Sequence, residues 1–467
     1  MPISEPPPFL SIAHLFADAV EPADFPDCLL RFRNTRWDEL IGFGEIDDAQ
    51  WAETFSRFPV QENNLPQPLA TRYHGHQFGV YNPDLGDGRG FLYAQFKTDD
   101  GRWLDLGTKG TGQTPWSRQG DGRLTLKGGL REVLASEYLE ALGVRTSKAF
   151  SLVETGEALY RNDEPSPARS AVLVRLQHSH IRFGTFQRAA YHDDRAAIAA
   201  LVEHTISTYH RGAADPELGK AAPALLQRVV DATARMIGQW MAAGFVHGVM
   251  NTDNFNVTGE TFDFGPYRFL PYSDPNFVAA YFDHTGLYRF GRQPTQGLWA
   301  LQQLAGALAV VAEADDLVDA LRSYEPAYQR SFADQTLALL GLEAGALDND
   351  LAFLSTLFGW MTESAAPWPQ LFFDWFGGDA SAARAAESPI ASRYDEPSFK
   401  PIRDGLAART PDRPKRLEDP YFQRAEPASL LVGEIEALWS KIADQDDWSG
   451  FDTKLADFDS LRRALSA

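Results

Sequence analysis

The residues best suited to chemistry lie between His247 and Gly265, in the run HGVMNTDNFNVTGETFDFG. Asn254 falls seven residues after His247, and Asp263, followed by Phe264 and Gly265, nine residues after Asn254. An amide and a carboxylate on neighbouring segments supply two hard oxygen ligands. Such a pair can fix a Mg²⁺ ion that bridges the oxygens of a polyphosphate. The same residues also suit a turn-rich hairpin whose Asp and Asn only satisfy backbone groups. A polyphosphate cleft would need cations as well, and elements to hold them.

The order of these segments is that of a kinase catalytic loop followed by its metal-binding Asp-Phe-Gly. One part is displaced. A kinase places its base Asp two residues after the His, where this chain has Val249; an aspartate stands instead at Asp253. Upstream, a hairpin is predicted from strands at Phe91 to Phe96 and Trp103 to Leu106, joined by Thr98-Asp99-Asp100-Gly101. Lys109 follows the second strand, inside the glycine-rich run ending at Gly112. A helix is predicted from about Leu126 to Leu142, with Leu130, Val133, Leu134 and Tyr138 on its apolar side and Gly143 to stop it. It carries Glu132. A strand Lys followed by a helix Glu is the pairing that holds Lys against nucleotide phosphates.

Other segments leave two readings open. Gly86-Asp87-Gly88 fits an ordinary turn as readily as a backbone approach to phosphate. Asp121 and Gly122, in a second glycine-and-charge turn, suit a nucleotide contact or a solvated loop. Arg175 and Arg182 offer bidentate anion contacts or ordinary salt bridges. His74 and His76 lack a third metal ligand nearby and are expected in packing or backbone hydrogen bonds.

These segments must be positioned by a chain of 467 residues, enough for two to four domains at roughly 100–200 residues each. Lys and Arg total 43 and Asp and Glu 64, a net charge of −21. That disfavours nucleic acid or an anionic membrane as partner, and any phosphate must meet a local basic cluster. Cys28 is the only cysteine, so no intrachain disulfide or multi-cysteine metal site is open to the chain, which fits the cytoplasm. The start, MPISEPPPFL, carries no basic region followed by an apolar run, so no secretory signal is expected. No apolar run reaches the ~18 residues of a transmembrane helix. Residues 1–70, rich in proline, read as an irregular extension packed on the body, with short helices around 47–57. Residues 71–176 read as strands plus the Glu132 helix. Residues 177–384 read as mostly helical, with a long helix through Leu225, Val229, Ile237 and Trp240 that presents His247 at its end. Residues 385–467 read as a Pro-rich crossing and a final helix over about 429–442.

Together with Gly75-His76-Gln77-Phe78-Gly79, Leu85-Gly86-Asp87-Gly88-Arg89, Lys109-Gly110-Thr111-Gly112, Gly120-Asp121-Gly122-Arg123 and Ser179-His180-Ile181-Arg182-Phe183-Gly184, the catalytic-loop run resembles the selenoprotein O (YdiU-like) family. The resemblance is read over about 70–295 and fades after about Ala380. It implies an α+β, protein-kinase-like two-lobe fold with an N-terminal extension and a mostly helical C-terminal lobe. It implies transfer of AMP from ATP to Ser, Thr or Tyr hydroxyls of proteins, with ATP reversed relative to kinases; separately, a monomer is expected. By motif position, Gly86, Gly88, Arg89, Asp121 and Gly122 would contact the nucleotide. Lys109, Arg175 and Arg182 would clamp phosphates, with Glu132 positioning Lys109. Asn254 and Asp263 would bind Mg²⁺ or Mn²⁺, with Asp263 also in the ATP site, and Asp253 would accept the proton. The selenocysteine or cysteine near the family's C-terminus has no counterpart in Arg462-Arg463-Ala464-Leu465-Ser466-Ala467. Two rivals remain: a small-molecule or protein phosphotransferase of the aminoglycoside-kinase type, against which Val249 argues, and a non-catalytic nucleotide-binding scaffold, against which Lys109, Glu132, Asn254 and Asp263 argue.

Overall fold

The computed structural model describes residues 5–43, 46–162, 164–213 and 215–466. Its strands, in chain order, are β1 (Ala17–Ala19), β2 (Leu29–Arg33), β3 (Leu69–Thr71), β4 (Gly75–Gln77), β5 (Val80–Asn82), β6 (Leu92–Lys97), β7 (Trp103–Lys109), β8 (Leu124–Thr125), β9 (Lys148–Leu159), β10 (Ala168–Gln177), β11 (Phe245–Val246) and β12 (Arg268–Phe269). Eight of them form one antiparallel sheet in the order β1-β3-β6-β7-β10-β9-β2, with β8 also pairing β10. β4 with β5, and β11 with β12, make separate two-stranded pairs.

The sheet is covered on both faces, and β9 and β10 show how. Leu152 and Leu173 pair in register and pack with Leu130 and Leu134 of the Leu126–Ala141 helix. Val153, Val172 and Val174 point the other way, toward Trp51 and Phe55. A bulge at Phe150, between the Ser151↔Val174 and Ala149↔Arg175 pairs, shifts the alternation and sends that ring to the Trp51 side.

The N-terminal stretch is a correction to the sequence reading. Among its described residues the stretch is more regular than expected: β1 and β2 form the two edges of the main sheet, and the expected helix, Asp48–Arg57, covers one face with Trp51 and Phe55. Trp51 is fully buried. Its Nε1 donates to Ser151 Oγ at 3.0 Å, and its ring lies 4.7 Å from Phe55 and 5.0 Å from Phe150. Trp51→Ala is therefore expected to destabilise the protein by ~3–5 kcal/mol, read as a lowered urea midpoint at unchanged slope.

From Phe183 onward the described residues are mostly helical. The Leu218–Ala242 helix buries Leu225, Val229, Ile237 and Trp240 and packs on the Gln293–Leu308, Ala314–Leu321 and Tyr324–Leu339 helices. Gly244, at φ +63°, turns the chain into β11, and His247 follows at once. Prolines hold residues 385–427 to short pieces such as Ala391–Tyr394 and Lys400–Ala407. Two helices then close the chain, Val432–Gln445 and Ser449–Ser466, where one was expected. The second lies on the Leu126–Ala141 helix: Phe458 and Tyr138 rings are 4.9 Å apart, and Arg462 reaches Glu137 at 2.8 Å. Arg36, from the N-terminal stretch, pairs with the same Glu137. Among the described residues no helix is long and apolar enough to cross a membrane.

Candidate active site

The chain converges on a cleft of ≈ 780 Å³. Gly86, Gly88, Arg89, Lys109, Asp121, Gly122, Arg175, Arg182, Asp253, Asn254 and Asp263 all line it. Glu132 sits behind Lys109, 3% exposed, and accepts its Nζ. β7 ends at Lys109 and β10 carries Arg175 beside it. Arg182 precedes the Phe183–Tyr191 helix. The glycines are there for closeness. A Cβ on Gly86 would fall 2.4 Å from the Trp116 ring, and one on Gly88 would fall 2.8 Å from the Trp116 carbonyl.

Asp263 is the electrostatic centre. Lys109 Nζ donates to its Oδ1 at 3.2 Å and Arg175 to the same oxygen at 2.6 Å. Arg182 donates to Oδ2 at 2.7 Å. Burial alone would raise the Asp263 carboxyl; the charges of Arg175, Lys109 and Arg182 hold it well below the ordinary range. Its backbone sits in the left-handed region, φ +56°, which Asp tolerates better than most residues. Asp253 is the opposite case. Its Oδ1 is buried with no hydrogen-bond partner, and burial pushes the carboxyl up to about 6 against the pull of Arg182. Two carboxyls in one cleft are thus tuned apart, one as a fixed anion and one poised to take a proton.

Asn254 donates its amide to the Val249 carbonyl at 2.8 Å. His247 is fully buried and held neutral, pushed down to about 4 by burial, with Nε2 facing the Phe262 carbonyl at 3.2 Å; it braces the loop. Asp121 meets Arg161 through two contacts of 2.8 and 3.1 Å; burial would raise it, and Arg161 with its neighbours lowers it. The two histidines considered above both pack against Tyr81, and their ring hydrogen bonds go to side chains, not backbone: His74 meets Tyr81 at 2.7 Å and His76 meets Gln187 at 2.8 Å.

Several residues of the site escaped sequence reasoning. Asp87, between the two glycines, accepts from Thr71 at 2.9 Å and from Arg182 at 3.4 Å. Tyr73 lies under the Arg182 guanidinium at 4.5 Å. Asn251 lines the cleft and accepts from the Phe78 backbone N–H and the Tyr288 hydroxyl. Only the position of Asn251 in the catalytic-loop run could have marked it; the other two depend on distant partners.

Among the described residues no three His, Cys, Asp or Glu side chains gather as a metal site. The cleft nevertheless fits a hard divalent ion shared with phosphate. Its donors, the Asp263 carboxylate and the Asn254 side-chain oxygen, are of the kind Mg²⁺ takes when substrate phosphates complete the shell. With the Asn254 amide nitrogen committed to Val249, its oxygen is the atom left to serve.

Three cations meeting over one carboxylate form a local basic cluster in an acidic chain, of the kind a polyphosphate would need. A family described as "Protein adenylyltransferase SelO" matches residues 4–458. The "Protein nucleotidyltransferase YdiU" of Synechocystis sp. is 41% identical over 459 residues, 95% of each chain. That of Gloeobacter violaceus is 42% identical over 464 residues, 95% of this chain and 92% of the relative. The chain belongs to the SelO family, a family of nucleotidyltransferases. The match runs well past Ala380, correcting the reading that the C-terminal part departs from the family.

Proposed function

We propose that this chain is a protein adenylyltransferase of kinase-like, two-lobed fold that moves AMP from ATP to Ser, Thr or Tyr hydroxyls of proteins and releases pyrophosphate. It acts as a cytoplasmic monomer. The lobes are 71–176, its sheet extended at both edges by β1 and β2, and 177–384, with 385–467 packed on them. The observation that carries the reading is the pairing of Asp253, a carboxyl with an unpartnered buried oxygen, with Asp263, on which Lys109, Arg175 and Arg182 converge.

Lys109, Arg175 and Arg182 hold the phosphates that leave, and Glu132 fixes Lys109. Gly86, Gly88, Arg89, Asp121 and Gly122 hold the rest of the nucleotide. Asn254 and Asp263 would hold Mg²⁺ or Mn²⁺, which when bound offsets the charge on the phosphates. The α-phosphorus faces Asp253, reversed relative to a kinase, which accounts for Val249 at the usual base position. Asp253 takes the proton of the acceptor hydroxyl as its oxygen bonds to the α-phosphorus. The bond from that phosphorus to the bridging oxygen breaks, and its electron pair leaves with pyrophosphate. A positioned base contributes ~10²–10⁴-fold, and charge on the phosphates supplies the larger part.

The deciding experiment supplies α-labelled and, separately, γ-labelled ATP with Mg²⁺ or Mn²⁺ and a generic protein acceptor. Label is expected from α alone. Label from γ would replace this reading with phosphoryl transfer, and nucleotide binding without either label would make the protein a scaffold.

A further inference from the structure

The carboxyl of Asp253 has no hydrogen bond on Oδ1 to hold it in place, yet a proton acceptor must be held within a fraction of an ångström. What holds it is the β4–β5 hairpin. The His76 backbone N–H donates to Thr252 Oγ at 2.7 Å. The Thr252 hydroxyl donates to Gln187 Oε1 at 2.6 Å. The Gln187 amide, its oxygen thereby used, turns its nitrogen to His76 Nδ1 at 2.8 Å. The three residues close a ring of hydrogen bonds, with Thr252 fully buried at 0% exposure. The Gln187 amide nitrogen can only donate, so His76 Nδ1 is the acceptor and the polarity of the ring is fixed. Its imidazole is set edge-on against Trp299 at 5.3 Å and Tyr81 at 5.0 Å. A residue earlier, Gly75 lies against the base itself: a Cβ there would fall 2.8 Å from Asp253 Oδ1 and 3.2 Å from Asp253 Cβ.

We infer that Thr252, Gln187 and His76 are positioning residues for Asp253: the hairpin grips the backbone next to the base through the Thr252 hydroxyl, while the bare face of Gly75 sets where its carboxyl rests. This rests on Asp253 being the proton acceptor. A ring of neutral groups is suited to the task, because it fixes the turn without placing a charge beside the carboxyl or spending the oxygen that must accept the proton.

Three variants test it: Thr252→Val, which keeps shape and removes the hydroxyl; Thr252→Ser, which keeps the hydroxyl; and Gly75→Ala, which displaces the carboxyl without deleting a hydrogen bond. Transfer is measured with both α- and γ-labelled ATP, alongside melting temperature and backbone amide exchange. Thr252→Val is expected to lower kcat on the order of 10- to 100-fold with KM for ATP unchanged, and to speed exchange at His76. Thr252→Ser should restore both, and Gly75→Ala should lower kcat with the exchange at His76 left slow. Should label come only from γ, the adenylylation reading fails while the kcat of Thr252→Val still decides this one. Parent-like kcat in a folded Thr252→Val, or a Thr252→Ser no better than it, overturns the inference. If Thr252→Val does not fold, Thr252→Ser and Gly75→Ala decide, and parent-like kcat in Gly75→Ala overturns it.

Discussion

Asp263→Ala is expected to abolish AMP transfer and, in the nucleotide-free protein, to lower stability by ~3–5 kcal/mol, the usual cost of stranding buried charge. Both effects have one source. The carboxylate is met by Lys109 at 3.2 Å, Arg175 at 2.6 Å and Arg182 at 2.7 Å. The two guanidiniums are buried, at 4% and 3% side-chain exposure. Without Asp263, Lys109 retains Glu132, but the arginines lose their strongest counter-charge. The sign reverses when an anion is supplied. In the parent, Asp263 repels a metal-free polyphosphate; in the variant that repulsion is gone and three cations face the cleft. Pyrophosphate in the presence of a chelator should therefore raise the melting temperature of Asp263→Ala more than that of the parent. Equal shifts would mean that these cations do not face the phosphate.

Asp253→Asn should separate catalysis from folding. Transfer is expected to fall ~10²–10⁴-fold, the range for losing a positioned base, with nucleotide affinity kept, because no cation of the phosphate clamp depends on its side chain. Stability moves the other way. Burial lifts the Asp253 carboxyl from 3.8 to about 6, so in the metal-free protein its ionised form is penalised by folding. For an acid shifted upward, that cost is absent below the unfolded value, grows as pH rises toward the folded one and is constant above it. The neutral amide never carries it. Asp253→Asn should match the parent near pH 3 and exceed it by ~3 kcal/mol above pH 7, as read from urea unfolding at the two pH values. An Asp253→Asn protein with full transfer activity would remove this carboxyl from the mechanism.

How much of this was legible in the sequence follows from how local each feature is. The Leu126–Ala141 helix and the β6–β7 hairpin were visible because periodicity and a turn signal are properties of neighbours in the chain. Asp253, Asn254, Asp263, Lys109 and the two arginines do share one cleft. β1 and β2 were invisible. They are three and five residues long, set among prolines, and owe their conformation to β3 and β9, which lie far along the chain. Asp87 was hidden in the same way: its neighbours spell a turn, and its partners Thr71 and Arg182 lie 16 and 95 residues away. The Ser449–Ser466 helix was missed although Phe451, Leu455, Phe458 and Leu461 repeat at helical spacing, because acids and alanines dilute the stripe.

Glu137 takes Arg36 from one end of the chain and Arg462 from the other, on the helix that carries Glu132 little more than a turn earlier. Both tails are thereby knotted to the strut that aims Lys109. A protease nick or a bulky fusion at either tail is therefore expected to loosen the helix that carries Glu132, read as faster amide exchange along it.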